Sequence, residues 1–251
     1  MPEQLWFTAI LNHLFAGPVT ALLRTVHVDP KYPEAPVSNA AAMELFVFLF
    51  LVLLFAMVRS RLSVDKPGGL QHLFEGAHGF IEGQGHEIIG HGSEKFTAYL
   101  TTLGFFILFC NLLGLVPGFE SPTGSPVVPL GCAVLTFIYY HLQGIKKQGL
   151  WHYLKHFAGP SVGHPVANFL MAILMVPIEV VSHLARMLSL TVRLYANMFA
   201  GDMVTMVFFS LVPIGLPVIF MGLHLGVSLI QTFVFVLLAI IYLQGAVAEE
   251  H

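Results

Sequence analysis

Six polar side chains recur at spacings of three and four residues along one apolar stretch in the second half of the chain. They are Glu179, Ser182, Arg186, Ser189, Arg193 and Asn197. At about 100° per residue these positions share an arc of roughly 80° on an α-helix, and His183 widens it to about 120°. An ionisable group inside a membrane helix costs at least about 2.5 to 3.5 kcal/mol on insertion scales, which makes it a candidate functional group. The row therefore predicts an aqueous path along one helix face.

The next apolar stretch carries a second polar face. Its members are His224, Ser228 and Gln231, at positions i, i+4 and i+7 of a helix. Two such faces on neighbouring helices predict a shared hydrophilic seam. Ser228 or Gln231 taken alone is more typical of a hydrogen bond between membrane helices, and the alignment with His224 shifts that balance only modestly.

Asp202 does not fit the polar row. It follows Arg193 by nine residues and points about 180° away from it on a straight helix. Either Gly201 permits a bend just before Asp202, or Asp202 lines a compartment separate from the one that Glu179 faces. Both options stay open at this point.

Structural and metal-binding alternatives compete with the aqueous path. Glu179 and Arg186 together fit a structural ion pair between tilted helices. Arg193 fits a structural ion pair less well. Two histidine pairs also suggest metal ligands, namely His86 with His91 and His152 with His156. Because neither pair has an evident third ligand, isolated interfacial histidines are the better interpretation, and we predict no metal site and no cofactor.

Composition places these residues in a membrane protein. Hydrophobic residues make up 56% of the chain and charged residues 10%, against roughly 25% charged residues in soluble domains. The net charge of -3 gives no reason to expect a nucleic-acid partner. Cys110 and Cys132 lie in apolar runs and are predicted to be packing residues. The chain has no Gly-x-x-x-x-Gly-Lys-Ser/Thr phosphate loop, so no catalytic site for nucleotide chemistry is expected.

Three apolar runs in the first part of the chain are long enough to cross a hydrocarbon core of about 30 Å. They extend from Ala40 to Val58, from Phe96 to Val116, and from Val127 to about Leu142. Pro117 ends the second run, and Gly144 with two lysines ends the third. Basic residues follow the first and third runs: Arg59, Arg61, Lys66, Lys95, Lys146, Lys147 and Lys155. By the positive-inside rule, the N-terminus is predicted to lie outside.

Residues 67–94 mix apolar residues with Gly, His and Glu at loosely helical spacing, which predicts a short interfacial helix. From Val166 to Ala200 only Pro177 interrupts a helical pattern of about 52 Å, and a turn at Pro213 and Pro217 leads to a second helix over 218–245. Both exceed the bilayer thickness, so a steeply inclined hairpin is expected. The predicted fold class is an all-α polytopic membrane protein.

One membrane domain is predicted over residues 1–251. Its parts are an N-terminal segment over 1–42, about three transmembrane helices within 43–145 with the interfacial segment 67–94 between them, and the inclined hairpin over 165–247. The N-terminus lacks the features of a cleaved signal peptide and is expected to stay in the mature chain.

With these residues identified, the chain resembles the a subunit of F-type rotary ATP synthases, the stationary partner of the proton-driven c-ring. The most specific segment is LSLTVRLYANMFAGD over 188–202, which contains Arg193. Supporting segments are PGGLQHLFE over 67–75, NLLGLVPGF over 111–119 and HLGVSLIQTFVFVLLAIIYL over 224–243. The chain departs from the family at Asp202, where related chains often carry Glu or His, and at Gly114, where some carry an acidic residue.

The resemblance implies a pair of offset half-channels that give a mid-membrane carboxylate on the c-ring access to water from opposite sides. Arg193 would be the essential cation between them, because a guanidinium keeps its proton, blocks a short circuit and favours ionisation of the passing carboxylate. The implied outside half-channel contains Asp202, His224, Asn197 and Gln231. The implied inside half-channel contains Glu179, Ser182, Arg186 and Ser189. Implied partners are the c-ring, the b subunits of the peripheral stalk, protons and the lipid bilayer, in a bacterial plasma (inner) membrane.

Two other classes of membrane protein remain as alternatives. A proton-coupled secondary transporter also carries buried Arg, Glu and His in tilted or broken helices, but it predicts internal repeats, and the first three spans do not resemble the hairpin. A purely structural membrane scaffold would not require Arg193 to remain a strong cation.

Overall fold

A computed structural model describes residues 4–25, 27, 32–63, 67–116, 118–151, 153, 165–211 and 215–247. These ranges form α-helices and one short 3-10 turn, with no β-strand among them. The helices are α1 (Trp6–Thr25), α2 (Asn39–Ser60), α3 (Gly69–Ile89), α4 (Glu94–Leu113), α5 (Val127–Gln148), α6 (Pro165–Leu211) and α7 (Leu216–Val247). Six of them are long and apolar enough to cross a membrane: α1, α2, α4, α5, α6 and α7. The predicted all-α membrane class is confirmed.

The three predicted spans correspond to α2, α4 and α5. The Ser38 hydroxyl caps α2 by accepting a hydrogen bond from the Ala41 N–H at 3.2 Å. The prediction that α5 ends near Leu142 is wrong, because the helix continues through Gly144 to Gln148. A Cβ atom at Gly144 would lie 2.5 Å from the ring of Tyr153, so glycine serves close packing there rather than helix termination.

The N-terminal segment contains α1, a helix that the sequence analysis did not predict. The count of about three transmembrane helices outside the hairpin is therefore too low by one candidate span. The buried face of α1 is polar and is formed by Thr8, Asn12 and Thr20. Because the buried positions are not apolar, a search for apolar periodicity does not detect this helix.

This polar face binds an extended segment that returns along α1 to the start of α2. The Asn12 side chain donates to the Val37 carbonyl at 3.1 Å and accepts from the Val37 N–H at 3.0 Å. The Leu5 N–H, at the start of α1, donates to the Asn39 side chain at 3.3 Å. The first turns of α1 and α2 are thus neighbours.

The interfacial prediction over 67–94 corresponds to α3, which packs against α4 and α7. Its His78 Nδ1 lies 3.2 Å from the Thr101 hydroxyl on α4. Gly90, with φ of 86°, ends the helix in the left-handed region that suits glycine. The basic residues Lys66 and Lys155 and the helix-ending Pro117 fall outside the described residues.

The C-terminal hairpin consists of α6 and α7, which contain 47 and 32 residues. At 1.5 Å per residue they measure about 70 Å and 48 Å. The first arm was predicted to end at Ala200, but Gly201 and Asp202 continue the helix to Leu211. Gly215, with φ of 87°, precedes α7, whereas Pro213 of the predicted turn falls outside the described residues.

A hydrophobic core joins α4, α5, α6 and α7. It consists of Leu103, Ile107, Cys132, Ala133, Leu190, Leu194, Met198 and Phe235. Cys132 and Cys110 are both buried free thiols, as expected for packing residues. This core fixes one face of α6 and thereby the direction of the polar row next to it.

Candidate functional site

The polar row of α6 lies at the edge of the packed core. Leu190, Leu194 and Met198 on one side of the row are at most 2% exposed. Apolar side chains on the other side are exposed: Leu188 at 54%, Val192 at 58% and Phe199 at 45%. The row therefore separates a packed surface from an uncovered apolar surface.

Arg193 is the fifth of the six residues of this row along the chain and is partly exposed. Its Nη2 donates to the Ser189 hydroxyl, one helical turn away, at 3.5 Å. It forms no ion pair with any described residue. The structural ion pair considered for Arg193 is thus not formed within the described part of the chain.

Glu179 and Arg186 do not pair with each other in the described structure. Glu179 Oε1 instead lies 3.2 Å from His183 Nε2, one helical turn further along α6. The Arg186 guanidinium carbon lies 5.6 Å from the centre of the Tyr242 ring on α7, a cation–π distance. Ser182 shares this side of the helix and is partly exposed.

The two predicted polar faces meet across the hairpin. Asn197 Nδ2 donates to Gln231 Oε1 at 2.7 Å, and the Ser228 hydroxyl lies 3.9 Å from Met198 Sδ. His224, Ser228 and Gln231 are at most 4% exposed. The two polar faces are therefore in direct contact at the Asn197–Gln231 hydrogen bond.

Asp202 and His224 form a carboxylate–imidazole pair at one end of the contact between α6 and α7. Asp202 Oδ1 lies 3.7 Å from His224 Nδ1. Both residues line a cavity of about 510 Å³, which residues of the loop before α5 also line. Neither Glu179 nor Arg193 lines this cavity, and α6 stays helical through Gly201. Asp202 thus lines a cavity that Glu179 does not line, which agrees with the second of the two options left open for it.

Three glycines make room for this pair. A Cβ atom at Gly114 would lie 3.3 Å from Asp202 Oδ1, and one at Gly124 would lie 3.0 Å from Asp202 Oδ2. At Gly201 a Cβ atom would lie 2.6 Å from His224 Nδ1, closer than packed side-chain atoms approach. A side chain larger than glycine at any of these three positions would enter the space that the carboxylate or the imidazole occupies.

The cavity also contains polar groups that the sequence analysis did not select. Glu120, Ser121, Ser125 and Thr205 line it. Behind its wall, Thr123 donates to Asn111 Oδ1 at 2.7 Å and ties the loop to α4. The one available signal was Glu120, the sole charged residue between the second and third spans, but helical spacing does not place a loop residue.

A second unpredicted group lies at the opposite end of the polar row, near the end of α5. Tyr140 contacts His183, and His141 Nδ1 lies 2.6 Å from the Tyr153 hydroxyl. Burial raises the pKa of Tyr153 to about 12, and the Glu179 carboxylate adds to this effect. The Tyr153 hydroxyl therefore keeps its proton near neutral pH.

The structure describes one of the two histidine pairs that were considered as metal ligands. The rings of His86 and His91 lie 5.7 Å apart. Within the described ranges, no group of three metal-ligating side chains includes them. His152 and His156 fall outside the described residues.

Comparison with known proteins gives one consistent result. The profile of the family described as ATP synthase A chain matches residues 41–244. The chain is 56% identical to ATP synthase subunit a of Koribacter versatilis over 251 residues, which is 100% of both chains. It is 49% identical to ATP synthase subunit a of Solibacter usitatus, covering 96% of this chain and 100% of the relative. Identity to the protein of the same name from Geotalea uraniireducens is 39%, over 95% of this chain and 98% of the relative.

Proposed function

Since this chain belongs to the ATP synthase A chain family, we propose that it provides two offset half-channels through which protons reach and leave a rotary partner. Family membership makes it a proton-translocating membrane subunit of ATP synthase rather than a catalytic subunit. The finer proposal depends on where the charged side chains of the hairpin lie.

The observation that carries the proposal is a guanidinium with no ion-pair partner among the described residues, positioned between two carboxylate–histidine pairs. Arg193 lies along α6 between Glu179 with His183 on one side and Asp202 with His224 on the other. A guanidinium cannot release its proton under physiological conditions, so it interrupts any proton relay that passes through it. It also attracts a carboxylate that approaches from a neighbouring protein and stabilises its ionised form.

The outside half-channel is proposed to contain Asp202, His224, Asn197 and Gln231. The 510 Å³ cavity supports this, because it brings Asp202 and His224 to one polar compartment. The Asn197–Gln231 hydrogen bond lies between that cavity and Arg193 along α6. The inside half-channel is proposed to contain the polar row on the other side of Arg193: Glu179, Ser182, Arg186 and Ser189.

The rotary partner is proposed to be the c-ring. Leu188, Val192 and Phe199 form an open apolar surface next to Arg193, which suits contact with the outer helices of such a ring. We propose that the b subunits of the peripheral stalk hold the chain in place while the ring turns. A membrane-embedded carboxylate on each c subunit would be the anion that meets Arg193.

The proposed orientation places the N-terminus outside a bacterial plasma membrane. The extended segment that returns along α1 brings the first turn of α1 beside the first turn of α2. The additional helix therefore leaves the N-terminus on the side where α2 begins. Basic Arg59 and Arg61 at the end of α2 support an inside location for that end.

The hairpin is proposed to lie steeply inclined in the membrane. Helices of about 70 Å and 48 Å do not fit upright in a hydrocarbon core of about 30 Å. Inclination would allow the polar row to pass from one membrane surface towards the middle while its neighbours stay in contact with the ring.

The experiment is proton pumping by the complete ATP synthase in inverted membrane vesicles. Replacement of Arg193 by Gln removes the charge and retains a polar side chain. We expect ATP-driven acidification to fall to background while the detached catalytic sector still hydrolyses ATP. Unchanged pumping by a fully assembled Arg193→Gln complex would reject the proposal.

A further inference from the structure

His183 was part of the polar arc predicted from the sequence, but the two proposed half-channels do not include it. It is 8% exposed and lies at the edge of the part of the polar row that precedes Arg193, on the side towards α5. A buried imidazole beside a carboxylate is unusual inside a membrane helix, where each polar group requires a compensating partner.

The two ring nitrogens of His183 contact groups of different kinds. Nε2 lies 3.2 Å from the Glu179 carboxylate, whose side chain is 33% exposed. Nδ1 lies 2.8 Å from the Tyr140 hydroxyl on α5, and the Tyr140 and His183 rings stack with centres 5.7 Å apart. Glu179 is therefore the member of this chain of contacts that faces the path, and Tyr140 is the member that faces the core.

We infer that His183 shares a proton with Glu179 and is a proton-holding residue of the inside half-channel, with Tyr140 as the positioning residue that fixes its ring. This inference depends on the proposed function, because it assigns a further residue to one of the two half-channels.

The proton balance is simple. When both ring nitrogens carry hydrogen, Nε2–H donates to the Glu179 carboxylate and Nδ1–H donates to the Tyr140 oxygen. Transfer breaks the Nε2–H bond and forms an O–H bond on Glu179 Oε1, while the electron pair stays on Nε2. The total charge of the pair does not change, and Glu179 can then give the proton to solvent in the path. The reverse sequence takes a proton up.

The value of the pair lies in the pH range over which it holds a proton. A carboxyl group alone ordinarily titrates well below neutral pH, whereas an imidazole titrates near pH 6.5. A coupled carboxylate and imidazole titrate as one unit. An imidazole in the path therefore extends the pH range over which a proton can be held.

Other titratable or charged groups of the described elements surround this pair. They are Tyr140 and His141 on α5, Tyr153 after α5, Arg186 on α6 and Tyr242 on α7. The His141 ring lies 4.7 Å from the His183 ring, centre to centre. Tyr153 keeps its proton near neutral pH, so its hydroxyl contributes no charge there.

The test measures ATP-driven proton uptake by the complete enzyme in inverted vesicles, in which the bath reaches the side that carries the nucleotide-binding sector. The variants are His183→Gln, which cannot hold the extra proton, and Tyr140→Phe, which keeps the stacked ring and loses the hydroxyl. His78→Gln is the matched control, because His78 also has a hydrogen bond to a neighbouring helix but lies on α3. Pumping is measured from about pH 6 to 8.5, a range that extends above the ordinary pKa of histidine, and is divided by the uncoupled ATP hydrolysis rate at each pH.

We expect His183→Gln to pump like the unaltered enzyme near pH 6 and about threefold or more slowly near pH 8, where a lone carboxyl seldom holds a proton. Tyr140→Phe should change in the same direction to a smaller extent, and His78→Gln should not change. A His183→Gln profile that superimposes on the unaltered one, or that is lowered equally at every pH, overturns the inference. If that variant fails to assemble, Tyr140→Phe decides, and an unshifted profile counts against the inference. Loss of pumping in Arg193→Gln with an unshifted His183→Gln profile would reject this inference and leave the proposed function intact.

Discussion

The chain contains two carboxylate–histidine pairs of the same chemistry, built in different ways. Asp202 and His224 face each other across the hairpin at 3.7 Å, and Glu179 and His183 face each other within one helical turn at 3.2 Å. Both carboxyl side chains are 33% exposed, and both histidines are buried. The difference lies in what holds each pair together.

The outer pair, Asp202 with His224, depends on packing between two helices and on the absence of side chains around it. Gly114, Gly124 and Gly201 leave the space that the carboxylate and the imidazole occupy. The inner pair, Glu179 with His183, depends on the backbone of a single helix and on the Tyr140 hydroxyl from α5. A small shift between α6 and α7 should therefore alter the outer pair more than the inner pair.

The largest expected effect comes from the residue that separates the two pairs. Arg193→Lys keeps a positive charge but replaces the guanidinium with an ammonium, which can lose its proton when desolvated. We expect ATP-driven pumping to fall at least about tenfold, equivalent to about 1.4 kcal/mol on a rate barrier. Acidification of inverted vesicles measures this effect. Pumping within twofold of the unaltered enzyme would contradict the view that the two pairs need a permanent cation between them.

An intermediate effect is expected where the outer pair is most crowded. The methyl group of Gly201→Ala would lie 2.6 Å from His224 Nδ1, so the imidazole or α7 must move. Overpacking of this kind ordinarily costs about 1 to 3 kcal/mol, and we expect pumping to fall about tenfold.

The matched control for this change is Gly222→Ala on α7, where an added methyl group meets no atom within 4 Å. Thermal unfolding of the purified complex and pumping are measured for both variants. Equal behaviour of the two alanine variants would show that the outer pair does not depend on the close approach of α6 and α7.

Helical spacing predicted the parts of the site that depend on one helix or on two neighbouring helices. The positions of Asn197 and Gln231 on their own helices were sufficient to predict a seam, and the two side chains form a hydrogen bond of 2.7 Å. The same reasoning placed Asp202 away from the row, and in the structure Asp202 lines a cavity that neither Glu179 nor Arg193 lines. Periodicity is informative here because charged residues are rare in these helices.

Other features depended on contacts that spacing does not contain. Tyr140 becomes a neighbour of His183 only because α5 packs against that part of α6. Glu120 lines the cavity beside Asp202 from a loop, whose position helical spacing does not predict. The buried face of α1 is polar because it binds Val37, so apolar periodicity did not indicate that helix. In each case the missing information was which segments meet in space.

The smallest expected effect compares the two pairs directly by changing the length of each carboxyl side chain. Asp202→Glu adds one methylene group in a cavity of about 510 Å³, which has room for it, so we expect pumping within about twofold of the unaltered enzyme. Glu179→Asp removes one methylene group and takes the carboxylate out of hydrogen-bond reach of His183 Nε2, now at 3.2 Å. The loss of one such bond is worth about 1 kcal/mol, which corresponds to about a fivefold slower rate. Pumping by both variants is measured at the same pH and the same level of assembled complex. A larger loss in Asp202→Glu than in Glu179→Asp would reverse the comparison, because it would mean that the outer pair depends on carboxylate reach and the inner pair does not.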